Sequence, residues 1–403
     1  MDDEERRKRT RFQIESNDPE LNKLILGHYF YLPPDRDWGR AGKGIRENEH
    51  IKELSLSSYP PNYVNRDELE LFCGGIAGNK SIEQLKISCC GLFDGKIFRM
   101  LTPFVEQNNN IRCLRVGDGF GNAPMNCVPF LSESLSRFNT LKEFECNGTS
   151  LGDNKVEMLI RALMGHSSLI RVGLSKNKVG GRAMAALTAL LTIPNSSLTD
   201  LLLPQCSIND EIAVILAATL GINTTLRKLR LAQNRDITNR GWRAIFTQLL
   251  SLRSSLEDLR LGGNSIDDNA ANLLARSFAN STNLKALDIS SNRNITNEGW
   301  EAFFNALSSP QCMLQELRLG GNQFDDEVVT HLANSLSNNC VLSNLDLVYN
   351  ERVTPVGWRA FAAVLLNPNS ALETVNLEGN SIDDDALISF ATSLVHNSKL
   401  KEL

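Results

Sequence analysis

The sequence is poor in the residues from which most active sites and membrane anchors are built. Its five histidines, His28, His50, His166, His331 and His396, are scattered singly, and no H-E-x-x-H, C-x-x-C or G-x-S-x-G occurs. A zinc protease centre, a thiol-redox pair and a nucleophile elbow therefore find no support. No ligand pairs have the spacing of a zinc finger, and no acidic loop has the glycine and terminal glutamate of an EF-hand. The longest apolar run, Ile212 to Leu220, is too short to cross a bilayer. The opening MDDEERRKRTR lacks the apolar core of a signal peptide. A basic excess is missing too: 42 Lys and Arg against 47 Asp and Glu give a net charge of −5. That balance argues against a dedicated nucleic-acid binder. The expectations are no catalytic residue, no metal, no cofactor, no nucleic acid, no membrane and no small-molecule substrate.

Nine cysteines, an odd number that includes the adjacent Cys89 and Cys90, fit a reduced compartment, the cytoplasm or the nucleus. Cys89, Cys113 and Cys146 fall near strand positions, where a small thiol packs well. Six N-x-S/T sequons then read as chance matches. G-R-A-G-K-G at 39–44 lacks the first glycine and the Ser/Thr of a P-loop. The run Arg6, Arg7, Lys8, Arg9 and Arg11 stands beside acids at 2–5 and reads as a solvated tail rather than an import signal or RNA contact.

What the chain has is a repeat. L-x-x-L-x-L recurs from Leu21, Ile51, Ile82, Ile111, Leu141, Leu169, Leu198, Leu226, Leu256, Leu284, Leu314, Leu342, Leu372 and Leu400, at intervals of 28 to 31 residues. Leucines at motif positions 4 and 6 alternate with polar residues, which predicts a short strand with one buried face. An Asn follows in most late repeats (Asn177, Asn234, Asn264, Asn292, Asn322, Asn350, Asn380), suited to bonding backbone groups where the chain leaves the strand. A helical pattern comes next. Trp242, Ile245, Phe246, Leu249 and Leu250 fall at i, i+3, i+4, i+7 and i+8.

A strand and a returning helix in about 29 residues match the long form of the leucine-rich repeat. The pattern resembles the ribonuclease-inhibitor subfamily, shared with Ran GTPase-activating proteins, NOD-like receptors and tropomodulin-like actin cappers. The resemblance covers residues 21–403 and implies an α/β leucine-rich-repeat solenoid, a horseshoe of about 13–14 repeats. A parallel β-sheet would line its concave face and α-helices its convex face. Residues 1–20, charged and aperiodic, are expected to be a disordered segment or a cap. The array stops at LKEL, mid-strand, which suggests truncation at the C-terminus or pairing through that end.

A second period lies above the first. Trp242, Trp300 and Trp358, in ITNRGW, ITNEGW and VTPVGW, are 58 residues apart, while the alternate repeats carry SIDDNA, QFDDEV and SIDDDA. Ribonuclease inhibitor also alternates two repeat types, but with many more cysteines. The tryptophans are expected in the core. The acids Asp153, Asp210, Asp267–Asp268, Asp325–Asp326 and Asp383–Asp385 are expected as helix N-caps.

The fold implies a function of binding. Motif positions 3, 5 and 7 are expected to face solvent in ladders across the sheet, and the partner-binding candidates are Lys86, Arg115, Arg171, Leu202, Lys228, Arg230, Asp258, Arg260, Asp288, Arg318, Asp346 and Asn376. The bland alternative is a self-paired, solvated face, because Arg260, Asp288, Arg318 and Asp346 alternate in sign. Gly173, Leu202, Pro204 and Ala232 form a less polar patch, and Gly117 to Pro129 distorts one repeat as a loop suited to recognition. The leading expectation is a non-enzymatic scaffold for a partner protein. The alternatives are a GTPase-activating regulator of a Ran-like GTPase and the ligand-sensing portion of a NOD-like receptor.

Overall fold

The computed structural model describes residues 3–26, 37–56, 66–88, 96–117, 127–249, 255–279, 283–367, 370–395 and 397–403. Cys89, Cys90, His28, His396 and most of the 117–129 loop lie outside them. The chain divides into two compact units, residues 1–198 and 199–403.

In the first unit, six parallel strands pair in chain order: β1 (Lys23–Leu26), β2 (Glu53–Leu56), β3 (Gln84–Ile87), β4 (Cys113–Gly117), β5 (Glu143–Asn147) and β6 (Arg171–Gly173). The helices are α1 (Asp3–Glu15), α2 (Trp38–Glu47), α3 (Arg66–Ile76), α4 (Lys96–Met100), α5 (Thr102–Gln107), α6 (Cys127–Leu135), α7 (Asp153–Leu163) and α8 (Gly181–Leu191). α1 buries Ile14, whose carbonyl accepts from Asn48, and Asn17 Oδ1 accepts from Glu49 N–H at 2.9 Å. The glycines of G-R-A-G-K-G serve packing. A Cβ on Gly42 would lie 2.7 Å from the Phe72 carbonyl oxygen, so α2 and α3 cross at backbone contact.

In the second unit, seven parallel strands again pair in order: β7 (Asp200–Leu202), β8 (Lys228–Arg230), β9 (Asp258–Arg260), β10 (Ala286–Asp288), β11 (Glu316–Arg318), β12 (Asn344–Asp346) and β13 (Thr374–Asn376). They alternate with α9 (Asp210–Ile222), α10 (Asn239–Leu249), α11 (Asp268–Ala279), α12 (Asn297–Leu307), α13 (Asp326–Leu336), α14 (Pro355–Ala362) and α15 (Asp384–Leu394). The fourteenth motif adds a single bridge, Glu402 to Thr374. Each unit is thus a stack of leucine-rich coils, strand followed by helix.

The leucines close the interior as the alternation predicts. Leu229, Leu231, Leu259, Leu261, Leu317 and Leu319 are all fully buried, and each such side chain contributes roughly 2 kcal/mol of transfer free energy. Trp242, Trp300 and Trp358 are buried in the same core, with Phe246 and Phe304 stacked on the first two. The Asn row works between coils. Asn234 Nδ2–H donates to the carbonyls of Leu203 and Leu231, and its Oδ1 accepts from Cys206 and Ile208 N–H. A second Asn row, which sequence reading missed, sits where helices turn back into strands. Asn79 Nδ2–H donates to Ile45 O at 2.8 Å, and its Oδ1 accepts from Ser81 and Ile82. Asn339 and Asn397 do the same work later. Asn79 and Asn223 belong to this row and are buried, so these two sequons are structural positions.

The 58-residue period has a cause in hydrogen bonding. In the DD pairs the first acid caps its own helix: Asp325 Oδ1 accepts from Val328 N–H and Asp383 Oδ1 from Ala386 N–H. The second acid reaches the start of the next helix. Asp326 accepts from Thr354 N–H (2.7 Å), Thr354 Oγ1–H (2.6 Å) and Gly357 N–H (3.1 Å). Asp210 does so to Thr238 and Gly241, Asp268 to Thr296, and Asp153 to Gly180 and Ala183 in the first unit. The expected capping is therefore half of the device, since these second acids satisfy amides of the neighbouring coil. The glycine before each Trp is required here. A Cβ on Gly241 would lie 2.7 Å from Asp210 Oδ1, and one on Gly357 2.6 Å from Asp326 Oδ1.

Candidate protein-binding face

In each unit the strands present side chains at motif positions 3 and 5 on the face away from the helices. Alternation along the strand and registered parallel pairing bring like positions side by side about 4.8 Å apart.

In the first unit the predicted cations are collected by acids. Lys86 Nζ lies 2.7 Å from Glu53 Oε1, which Lys23 approaches at 3.2 Å. Burial raises the Glu53 carboxyl, but the two lysines outweigh it and hold it below the usual carboxylate range. Arg115 and Arg171 share Glu143 at 3.5 and 3.6 Å, and Arg115 also approaches Glu145. Glu53 and Glu143 were missed by sequence reading, although both stand at motif position 3. Gly173 is buried beside the Glu145 side chain, so it does not face solvent as expected.

In the second unit, register sets Leu202, Arg230, Arg260, Asp288, Arg318, Asp346 and Asn376 in one row. The parallel row runs from Lys228 through Asp258, Ala286, Glu316 and Asn344. Asp200, assigned by pattern to the solvent-facing set, is buried. The alternating signs of Arg260, Asp288, Arg318 and Asp346 do not produce the expected neighbour pairing. Arg260 forks onto Glu316, two strands away, with Nη1 and Nη2 at 2.9 and 3.2 Å, and its Nε–H donates to Asp258. Its side chain is only 12% exposed. Arg318 reaches the same Glu316 at 2.8 Å. Asp288 instead accepts from Ser290 N–H at 3.0 Å, and Asp346 from Val348 N–H at 3.1 Å. The reason is reach: an extended Arg spans two strands, whereas an Asp folds back on its own turn. Arg260 holds the Glu316 carboxyl below its ordinary value, and its own guanidinium is correspondingly raised despite burial.

Leu202, Pro204 and Ala232 are half-buried and adjoin the exposed Arg230. At the rim, Gln205 donates to Gln233. Tyr349 is a second exposed feature that sequence reading missed. It sits at φ +54° in the turn after β12, 56% exposed, beside Gly379. A bulky residue at positive φ is uncommon.

The arrangement offers charge and shape rather than a reactive centre at the buried Cys113 of β4. Burial pushes the Cys113 thiol up to about 12. Among the described residues, no group of three or more His, Cys, Asp and Glu is placed to hold a metal ion, and no helix is long and apolar enough to cross a membrane.

Comparison with known proteins agrees with the repeat reading. The Leucine Rich repeat family profile matches residues 223–246, 280–304, 311–329 and 369–391. NACHT, LRR and PYD domains-containing protein 5 of Mus musculus is 26% identical over 320 residues, covering 77% of this chain and 26% of that protein. Ribonuclease inhibitor of Mus musculus is 28% identical over 330 residues, covering 77% of this chain and 68% of the inhibitor. A chain of the Rad7 and Elc1 complex in yeast superposes with a TM-score of 0.56 at 17% identity, over 83% of this chain and 78% of that one. The chain thus spans about a quarter of the NACHT-containing relative and two thirds of the inhibitor.

Proposed function

Because the chain is a leucine-rich-repeat protein of the ribonuclease-inhibitor type, we propose that it is a non-enzymatic, cytoplasmic scaffold that holds a partner protein on its strand face. The observation that carries this is the registered double row of polar, mostly charged side chains on β8 to β13, arrayed by backbone geometry. Apart from the part-buried pairs of Arg260, the cations of these rows are exposed and their ion pairs contribute about 0–1 kcal/mol each, so stability alone does not account for the rows. Arg and Tyr, both displayed here, are the residue types that dominate interface energetics. Ribonuclease inhibitor, by its name, acts on another protein, and the same mode of action is inferred for this chain.

The test is affinity capture from native lysate by the full chain and by Lys228→Glu/Arg230→Glu/Arg318→Glu, with cross-links mapped by mass spectrometry. Cross-links to β8–β13 residues and loss of the captured protein in the variant are expected. Equal capture by both proteins, or cross-links confined to the helices, overturns the proposal. The NACHT, LRR and PYD match favours a second reading, in which the chain corresponds to the ligand-sensing leucine-rich portion of such a receptor.

A further inference from the structure

We propose that Arg230 is the receptor for a carboxylate of the partner protein, an Asp or Glu side chain flanked by an apolar residue, seated against the shelf of Leu202, Pro204 and Ala232. The inference rests on the strand-face reading and narrows it to one chemistry.

The register along the row is regular, but the order of charge signs is not. Arg230 on β8 pairs with Arg260 on β9, so two guanidinium-bearing residues are direct neighbours on one face. Like charges directly opposite are destabilising. Further along the same row the signs alternate through Asp288, Arg318 and Asp346. An acid between Arg230 and Arg260 would extend that alternation, and the chain supplies none.

The two arginines also differ in how they are held. Arg260 is drawn away from Arg230 by its fork on Glu316 and its bond to Asp258. Arg318 is satisfied by Glu316, and Lys228 lies 3.7 Å from Asp200. Among the described residues no carboxylate lies within ion-pair distance of Arg230, although Lys228 stands two residues before it on the same strand. Arg230 therefore keeps its five N–H donors in a planar fork that matches a carboxylate at two points. The half-buried shelf on its other side lowers the local dielectric, which strengthens such a pair, and gives an apolar neighbour a place to lie. A phosphoryl group fits less well. Asp200 and Asp258, registered on either side of Lys228, would repel a dianion more than a monoanion.

The test uses the full chain as bait for a phage-displayed library of random peptides. Enriched sequences are expected to carry Asp or Glu beside an apolar residue. Changing that acid to its amide should weaken binding about tenfold or more, the size of one charge-assisted hydrogen bond. Arg230→Gln should lose as much, and Arg230→Lys should lose part, keeping the charge without the fork. Arg230→Gln should melt no lower than the wild type, since it removes a like charge beside Arg260, whereas Arg260→Gln should melt lower because it removes the Asp258 bond and leaves Glu316 with Arg318 alone. Peptides that contain no acid, or that bind Arg230→Gln as tightly as the wild type, refute the carboxylate. If those peptides are still lost on Asn344→Arg, the strand-face reading survives alone. If they are lost only on the helix-face variant Arg243→Glu, both fail.

Discussion

Removing the Asp210 carboxylate should loosen one particular helix, and it is not the helix that carries Asp210. The side chain stands at the start of α9, yet its bonds go to the start of α10: Thr238 N–H at 2.8 Å, Thr238 Oγ1–H at 2.6 Å and Gly241 N–H at 3.0 Å. Loss of a side-chain cap costs about 0.5–2 kcal/mol, and loss of the negative charge at a helix N-terminus costs about 0.3–1 kcal/mol more. Asp210→Ala is therefore expected to cost about 2 kcal/mol, and Asp210→Asn, which keeps an acceptor oxygen, about 1 kcal/mol. Read locally, 2 kcal/mol is about thirtyfold in hydrogen exchange. Amides of α10 should exchange about that much faster in Asp210→Ala, while those of α12 and α14, capped by Asp268 and Asp326, should not change.

The pH dependence has a definite sign. Burial raises the Asp210 carboxyl, but the Thr238 hydroxyl, the Thr238 amide and the Gly241 amide outweigh it and hold it below its ordinary 3.8. A depressed carboxyl contributes stability that is complete above the ordinary value and lost as pH falls through the folded value. The difference between wild type and Asp210→Asn should accordingly be full at neutral pH and close in acid. Gly241→Ala supplies the geometric control: its Cβ would meet Asp210 Oδ1, Ala213 and Ile237, so it should destabilise alone and less so beside Asp210→Ala. Unchanged exchange in α10, or equal acceleration of every helix, refutes the reasoning.

Three further outcomes follow from the same geometry. Asn239 and Asn297 donate to Asp267 and Asp325 of the following helix, but Pro355 holds the equivalent place in α14. Pro355→Asn should supply a bond to Asp383 and slow hydrogen exchange in α15, and faster exchange there would count against it. The bonds from Arg260, assisted by Arg318, hold the Glu316 carboxyl below 4.5. Glu316→Gln should thus lower the chemical denaturation midpoint at pH 7, with the deficit shrinking as pH falls through the depressed carboxyl, and a deficit constant with pH would contradict the pairing. Gly42→Ala forces α2 off α3 and should cost about 1–3 kcal/mol in chemical denaturation, where a neutral result would show that the two helices can part freely.

The architecture was legible because burial leaves a periodic trace: a leucine cannot leave the interior of one coil without opening the next. The spacing of the Trp residues places them in the core on the same ground, and they lie there. Charge pairing was not legible. The sign pattern suggests nearest-neighbour bonding, whereas Arg260 passes over Asp288 to reach Glu316, because side-chain length and acceptor geometry decide the partner. The second Asn row escaped notice because its members stand in short polar turns that carry no hydrophobic period. In sequence the DD acids look like caps for their own helices, since a bond to a residue 28 positions later has no local signature.

The reach of one carboxylate into the neighbouring coil also limits how such an array can change length. A single coil of the DD type inserted after another would offer its acid to a helix that lacks the waiting threonine and glycine, leaving a charge stranded at the junction. Two coils inserted together would leave every donor matched. Growth and loss in this part of the chain are thus expected to run in doublets of 58 residues, with the spacing of Trp242, Trp300 and Trp358 as the trace that such duplications would leave.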